Sequence, residues 1–305
     1  MSAFLIAAAF VALVAIFGRR HWRVFKSDIA DVWRQAKDEW DEGVANTRAR
    51  ENMAEEEQLI AWYCSLARPA LLLSPAQETP PGDAAAWLGG PVWFADGETW
   101  PSDEAGLPLE CVAQLDFGAL PPLPGFPAQG VARVFVGRDD VFGANFDKPD
   151  RSAAMVLWHD GPRNGGRLEP ALALTSDDGS PFMDERHREA GMPLAAERID
   201  DLPDAYDWRV RAELAKHNDS DALEDRLYEL AEARPAGHRI GGYPSFTQYD
   251  FREPGKNDNF DVTLLALTSD DTIMWGDVGE AMFLIRSEDL ARRDFSRVAF
   301  YWDCH

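Results

Sequence analysis

The sequence predicts an α+β fold of two similar β-rich halves, packed as one domain with covering helices and preceded by a transmembrane helix. Three observations predict it: an apolar N-terminal stretch with basic residues after it, short apolar runs separated by turn signals, and a motif that occurs twice. The chain has 305 residues, of which 46% are apolar, with 17 Phe and 11 Trp. It is therefore long and apolar enough to bury a substantial core.

The first 18 residues predict the transmembrane anchor. Residues 3–17 hold no charged or strongly polar side chain. A helix of the first 18 residues spans about 27 Å, close to the ~30 Å of a bilayer's hydrocarbon core. A cleaved signal peptide is the alternative, but it would place Lys or Arg before the apolar stretch and a small-residue cleavage region after it.

Basic residues after the apolar stretch predict its orientation. Arg19, Arg20, Arg23 and Lys26 follow it, with Trp22 at the level expected of the lipid headgroups. Such residues stay on the cytoplasmic side and favour contact with anionic lipid. The predicted location is the inner membrane, as a single-pass protein with its C-terminal domain in the cytoplasm.

The remainder of the chain is strongly acidic. The net charge is −23, and residues 1–26 contain four basic and no acidic side chains, so residues 27–305 carry −27. This charge repels nucleic acid, which needs a positive footprint, and favours a basic protein or peptide as partner. The three cysteines, Cys64, Cys111 and Cys304, form no CxxC pair and predict reduced thiols rather than disulfides.

Periodicity divides the chain into segments. Helical spacing predicts one charged helix over 27–50 and a second over 53–67, with a break or bend near 45–50. The first carries an apolar stripe that must pack on the domain, on the membrane or on a second chain; its residues are Ile29, Val32, Trp33, Ala36 and Trp40. The predicted segments are an anchor (1–18), a juxtamembrane region with the charged helix (19–50) and a duplicated domain (51–305) with halves at about 84–175 and 236–304 and a helical insertion at about 184–234.

Short apolar runs bounded by turn residues predict strands. A glycine-rich stretch, 161–167, predicts a hairpin connection between two of them. The predicted strands are 112–117, 132–136, 154–158, 168–174, 262–267, 281–285 and 298–302.

A repeated motif predicts the duplication. Residues 88–94 read LGGPVWF and residues 240–246 read IGGYPSF, and each copy is followed by an apolar run and an aliphatic-aromatic run. The glycine pairs lack GxGxxG spacing and a following Lys-Ser/Thr, so a phosphate loop is disfavoured. We expect them to set unusual backbone angles where a strand begins or ends.

Several blocks resemble the YwqG-like family of uncharacterised bacterial proteins. They are GGYPSFTQYD (241–250), GLPLECVAQLDF (106–117) and above all WGDVG followed by an aromatic strand and EDLARRDFS (275–296). The resemblance covers about residues 55–304. It implies an α+β fold of two similar halves and no established activity.

The densest candidate site is 275–279, an acid framed by two glycines and an aromatic residue. Asp277 suits a general acid/base or an oxygen ligand, and Trp275 a stacking surface. The alternative is a tight turn that Asp277 caps, in which case Asp277→Ala costs about 1–2 kcal/mol. Gln114 and Gln248 hold comparable places in the two halves and suit ligand binding or the tying together of strands.

No catalytic set stands out. The six histidines show no HxH or HExxH spacing, GxSxG is absent, and the paired acids follow no EF-hand pattern, so neither a metal nor a cofactor is predicted. We therefore predict a membrane-tethered binding module rather than an enzyme, with a regulatory or immunity-like role. The alternatives are a divalent-cation-dependent enzyme using acids around Asp277, and a structural scaffold that uses the stripe of the first helix.

Overall fold

A computed structural model of the protein describes residues 22–76, 84–175, 178–217 and 220–305. Side chains are described from Arg34 onward, apart from those of residues 48–52 and 220. The chain divides into two units, Met1–Leu59 and Ile60–His305.

The first unit is dominated by helix α1, Trp22–Ser65, which runs for 44 residues and continues into the second unit. The sequence predicted two helices with a break near residues 45–50, and that break is not present. The segment contains no proline, and a lone Gly43 costs only about 1 kcal/mol, so nothing stops the helix. Residues 34–47 are all exposed, including Trp40 at 71%. From the predicted stripe, Ile29, Val32 and Trp33 lie where side chains are not described.

The second unit is built mainly from strands, all paired antiparallel in the two sheets. The strands are β1 Arg68–Pro75, β2 Ala86–Leu88, β3 Val92–Phe94, β4 Glu110–Asp116, β5 Val131–Val136, β6 Met155–His159, β7 Arg167–Glu169, β8 Met192–Asp201, β9 His238–Gly241, β10 Val262–Thr268, β11 Glu280–Ile285 and β12 Ala299–Asp303. The helices are α2 Glu185–Ala190, α3 Trp208–Leu214, α4 Ser220–Glu232 and α5 Ser287–Arg292, with a 3₁₀ turn at Pro149–Arg151.

Ten of these strands form one sheet, in the order β12-β11-β10-β9-β1-β8-β2-β4-β5-β6, and β3 pairs with β7 in a small second sheet. The order is symmetrical about the central pair β1–β8. On either side lies a short strand that ends at a glycine pair, followed by three strands in chain order. Each central strand pairs with the short strand of the opposite half of the sequence, β1 with β9 and β8 with β2.

The core lies along the inner strands of the large sheet. Every residue of β4 and β5 is buried, and β11 is buried beyond its first residue. Strands covered on both faces carry near-continuous apolar runs instead of alternating ones, which is why these three were recognisable from sequence.

The two outer strands of the sheet come near each other. The ring of Trp158 on β6 stacks on Phe295, just before β12, with centroids 4.6 Å apart. The hydroxyl of Ser152 donates to the carbonyl of Phe300 on β12 at 3.0 Å. The sheet is therefore curled, and its first and last strands are bridged by side chains.

The predicted fold class is wrong in its α+β assignment. The described structure is mostly β, with strands from both halves of the sequence in one continuous sheet. The helices after α1 are short, at 6, 7, 13 and 6 residues, and they do not form a covering layer of their own. The predicted hairpin at 161–167 is also wrong, since β6 pairs with β5 and β7 with β3.

The helical insertion predicted at about 184–234 contains a strand. Residues Met192–Asp201 form β8, one of the two central strands, which pairs with β1 over eight positions. Its Ala-Ala-Glu-Arg stretch favours a helix locally, but pairing on both edges overrides that weak preference. The helical part is limited to α2, α3 and α4.

The transmembrane helix predicted at residues 1–18 lies outside the described residues, as do Arg19 and Arg20, and the side chains of Trp22, Arg23 and Lys26 are not described. Within the described ranges, no helix combines the length and the apolar character that crossing a bilayer requires. The one long helix, α1, carries charged side chains repeatedly from Arg34 to Glu57. This finding contradicts the predicted single-pass topology and the inner-membrane location, which we do not retain.

Candidate functional site

A cleft of about 400 Å³ opens beside the strands β9, β10 and β11. It is polar at its base, where Arg239, Thr268 and Glu280 lie, and partly apolar at its rim. The remaining lining residues come from the loop after β8, the end of α4 and the segment after it, the segment after β9, the turn before β11 and the segment after β12; they are Asp204, Tyr206, Ala231, Arg234, Pro235, Ala236, Ser245, Phe246, Thr247, Val278 and His305.

The base of the cleft is held by Asp201, the last residue of β8, which is fully buried. Its carboxylate accepts hydrogen bonds from Arg239 Nη1 at 2.8 Å, Arg234 Nη2 at 3.2 Å and the Tyr243 backbone N–H at 2.8 Å. Charge-assisted bonds of this kind are the strong ones, and a buried carboxylate needs them. Asp201 therefore fixes both arginines in place.

The second glycine pair makes this arrangement possible. Gly242 has a φ of +62°, and a Cβ added there would lie 2.4 Å from Asp201 Oδ2. Only a residue without a side chain allows the backbone to approach the carboxylate so closely. The second glycine pair thus adopts an unusual backbone angle at the end of a strand, as the sequence predicted.

Glu280, the first residue of β11, is the least compensated charge in the cleft. Its Oε2 accepts from the Thr268 hydroxyl at 2.9 Å, and its Oε1 makes no hydrogen bond within the described part of the chain. Burial raises the pKa of Glu280 to about 7, with Arg239 opposing this shift and Asp204 and Asp303 adding to it. Glu280 therefore titrates near neutral pH.

The segment 275–279 beside the cleft is a closed turn. Ser269 holds it, accepting from the Trp275 N–H at 2.9 Å and donating to the Gly279 carbonyl at 2.7 Å. Val278 has a φ of +52°, lines the cleft and is 56% exposed. A β-branched residue in this backbone region is an outlier, so an exposed valine is held at the rim under strain.

Neither of the two candidates in this segment lines the cleft. Trp275 is fully buried and packs edge-on against Phe142, with centroids 5.2 Å apart, so it offers no stacking surface. Asp277 is exposed, lies outside the cleft and makes no side-chain hydrogen bond within the described residues. Ser269 does the capping that the sequence had assigned to Asp277.

The two glutamines lie apart from each other and outside the cleft. Gln114 is buried on β4, where it accepts from the Trp93 N–H and donates to the carbonyls of Gly89 and Pro91. Gln248 is exposed, and its Nε2 donates to the Cys304 carbonyl at 2.5 Å. Gln114 ties a glycine-pair loop to its sheet, whereas Gln248 sits at the surface near Asp303.

Sequence reasoning missed the residues that line the cleft, above all Glu280, Arg239 and Asp204. Their signal was weak but present: Arg239 is a charged residue within the buried strand β9, and Glu280 begins the otherwise apolar strand β11. A charge in a buried strand requires a partner or a function. Arg239 finds its partner in Asp201, and Glu280 finds no oppositely charged hydrogen-bond partner.

No group of three or more metal-ligating side chains occurs within the described residues. Cys111 is buried, and that burial raises the pKa of its thiol, while Cys64 is exposed and Cys304 half-buried. All three are free cysteines.

Comparison with known proteins gives a family and no activity. The model of one family, described as a domain of unknown function (DUF1963), matches residues 86–304. A search of the curated proteins found no match. The family match spans strands β2 to β12 and includes Arg239 and Glu280. The chain therefore belongs to the DUF1963 family.

Proposed function

We propose that the domain is a binding module that recognises a basic protein or peptide through the Glu280 cleft. The observation that carries this proposal is the Glu280 carboxylate, which lines the cleft, has one unbonded oxygen and has no cation bonded to it. A cationic group from a partner would supply the missing charge.

Charge balance in the cleft supports a cationic ligand. Both arginines are bound by Asp201, and Arg234 also donates to Asp204 at 3.4 Å. Two arginines thus face two aspartates, and Glu280 remains as an additional acid that lines the cleft. Burial raises the pKa of Asp204 as well as that of Glu280. A cation bound in the cleft would favour the ionised form of both carboxylates.

The size of the cleft and the charge of the chain suit recognition of a protein. A volume of about 400 Å³ is at the lower end of the range of roughly 300–1,000 Å³ for ligand pockets. It accommodates a side chain more readily than a nucleotide. The overall charge of −23 would steer a basic partner toward the domain from a distance. A regulatory or immunity-like role is consistent with such a module.

The alternative, an enzyme that uses a divalent cation and acids around Asp277, has less support. Asp277 is exposed and lies outside the cleft, and the described residues contain no group of three or more metal-ligating side chains. A single surface carboxylate binds Mg²⁺ or Ca²⁺ too weakly to form a dedicated site.

The test is binding of two labelled peptides to the full chain, one lysine-rich and one glutamate-rich, followed by fluorescence anisotropy. We expect the lysine-rich peptide to bind and its affinity to fall about tenfold between 50 and 300 mM salt, because surface charges are screened. Equal binding of the glutamate-rich peptide, or an affinity that salt does not change, would contradict the proposal.

Two matched variants separate the cleft from the general surface charge. Glu280→Gln removes the cleft carboxylate, whereas Glu197→Gln removes the exposed carboxylate of a β8 residue outside the cleft. Both replace one carboxyl group by an amide of similar size. We expect only Glu280→Gln to weaken binding of the lysine-rich peptide by about tenfold, the effect of losing a hydrogen bond to a charged group.

We further propose that within the family the chain is YwqG-like. The support is the WGDVG turn followed by an aromatic strand at 275–285, together with GGYPSFTQYD at 241–250. Both blocks contribute to the cleft or its walls. A sequence profile built from YwqG-like proteins alone would test this, and failure to align these two blocks would reject it.

A further inference from the structure

Building on the proposed function, we infer that the cleft takes the side chain of a single lysine, whose ammonium group binds Glu280 Oε1. The proposed function requires only a basic partner. This inference specifies which group of that partner enters the cleft and which atoms receive it.

The number of free acceptors favours lysine over arginine. Arginine binds carboxylates best with two parallel N–H groups on two oxygens, but Glu280 Oε2 already accepts from Thr268. Asp204 is occupied too, by the Tyr206 N–H at 2.8 Å and by Arg234. One free oxygen suits a compact ammonium group with independently directed donors.

The rim of the cleft suits the aliphatic stem of that lysine. Val278, Ala231, Pro235 and Ala236 line the cleft and present apolar surface around its polar base. A lysine buries its methylene groups along apolar surface while its charged end reaches a polar partner. Val278 is held exposed at this rim by a strained backbone, which places an apolar side chain where the stem would pass.

A second unpaired group indicates that the ligand also offers an acceptor. Arg239 lines the cleft and is only 2% exposed, and its Nε has no hydrogen-bond partner among the described residues. A buried donor without an acceptor is costly, so a bound ligand that accepts from it gains affinity. A peptide provides both groups, a cationic side chain and main-chain carbonyls.

Charged groups from several elements surround Glu280 and set the pH dependence of binding. They are Arg239 on β9, Asp204 in the loop after β8, Arg234 after α4, Asp303 on β12 and His305 at the cleft wall. Because burial raises the pKa of Glu280 to about 7, part of its population is protonated at neutral pH. An arriving ammonium group favours the ionised form, so binding at pH 7 should release a fraction of a proton and become tighter as pH rises.

The experiment uses the full chain and three short acetylated, amidated peptides that differ only at a central residue: lysine, arginine or norleucine among alanines. Norleucine keeps the stem and lacks the charge. Binding is followed by backbone amide shifts of Thr268 and Glu280. Calorimetry in two buffers of different ionisation heat gives the number of protons released. Glu280→Gln and Glu197→Gln are compared with the unaltered chain, and His305→Asn tests the histidine at the cleft wall.

We expect the lysine peptide to bind at least tenfold more tightly than the norleucine peptide and several-fold more tightly than the arginine peptide. The release of protons on binding should disappear in Glu280→Gln and persist in Glu197→Gln and His305→Asn. Equal binding of the norleucine or arginine peptide would overturn the inference, as would proton release that His305→Asn abolishes.

The failures of the two proposals are distinguishable. If the lysine-rich peptide binds and Glu280→Gln weakens that binding while the single-lysine peptide shows no preference, the module stands and the lysine assignment fails. If neither basic peptide binds, both fail. Should Glu280→Gln be poorly folded, Val278→Gly removes the apolar rim instead, and unchanged binding of the lysine peptide to that variant would also count against the inference.

Discussion

Single residues decide the geometry of the cleft, and Gly242 is the clearest case. Its missing Cβ lets the backbone of the second glycine pair meet Asp201, which in turn binds two arginines. The ion pairs of Asp201 with Arg234 and Arg239 therefore depend on Gly242, a residue that has no side chain.

Gly242→Ala should be strongly destabilising. The new Cβ would lie 2.4 Å from Asp201 Oδ2 and would also occupy a φ of +62°, so the carboxylate must leave its partners. We expect a loss of about 3 kcal/mol in the free energy of unfolding, measured by urea denaturation. The control is Gly255→Ala, where φ is +81° but nothing lies within 4 Å, and which should cost only about 1 kcal/mol. Equal losses would show that steric contact with Asp201 does not matter.

Glu280→Gln should stabilise the protein in a pH-dependent way. The pKa of Glu280 is raised from 4.5 to about 7 in the folded chain, so the folded state holds an extra proton between these values and stability falls as pH rises through that window. Glutamine does not ionise, so the variant loses no stability as the pH rises through this window. We expect the melting temperature of the variant to exceed that of the unaltered chain at pH 8 and the two to converge near pH 4.5. A difference that is the same at both pH values would contradict the raised pKa.

At the scale of elements, the turn at 275–279 is held by Ser269 and not by Asp277. The hydroxyl of Ser269 satisfies the backbone of this turn, whereas Asp277 makes no side-chain hydrogen bond within the described residues. Ser269→Ala should cost about 1–2 kcal/mol in unfolding free energy, the range for a lost cap, and Asp277→Ala less than about 0.5 kcal/mol. Thermal unfolding of both variants measures this, and the reverse order would restore Asp277 as the cap.

The central strands show what sequence could and could not predict. Strands β4, β5, β10 and β11 are buried, apolar and bounded by turns, so their pattern was sufficient. Strand β1 directly follows the helix predicted over 53–67 and was not predicted, and β8 was predicted as part of a helical insertion, because helix-favouring residues occur in or next to both. Only pairing between distant segments makes them strands, and no local pattern reports that.

The same limit applies to the cleft. The glycine pair and the 275–279 turn, which contain Gly242 and Val278, were recognised from their spacing. Arg239, Asp204 and Glu280 converge only after β9 and β11 align beside β10, and their separation in sequence hides this. The available signal was a charged residue in each of two buried strands. It indicated that Arg239 and Glu280 each required a partner or a function, but it did not indicate which of the two applied.

The family match begins at residue 86, yet the sheet needs β1. A chain starting at residue 86 would lose the strand that pairs with both β8 and β9 and would leave two sheet edges unpaired. We expect a chain of residues 86–305 to remain unfolded or to aggregate, while residues 60–305 fold cooperatively. Circular dichroism and urea unfolding of the two chains test this. Cooperative unfolding of the shorter chain would show that β1 is dispensable.

At the scale of the whole molecule, charge and sheet closure act together. A net charge of −23 produces repulsion between copies of the chain, and the curled sheet bridges its outer strands through Trp158, Phe295 and Ser152. Exposed strand edges are the usual route to aggregation, and both features oppose it.

The exchange of central strands between the two halves also has a consequence for synthesis on the ribosome. Strand β1 emerges early, but its two partners, β8 and β9, lie more than a hundred residues downstream. The β4–β5 and β5–β6 pairs form from neighbouring segments, whereas the middle of the sheet closes only after most of the chain has left the exit tunnel. Long-range pairing of this kind is slow. Pulse-labelled hydrogen exchange during refolding should therefore find the amides of β4 and β5 protected well before those of β1.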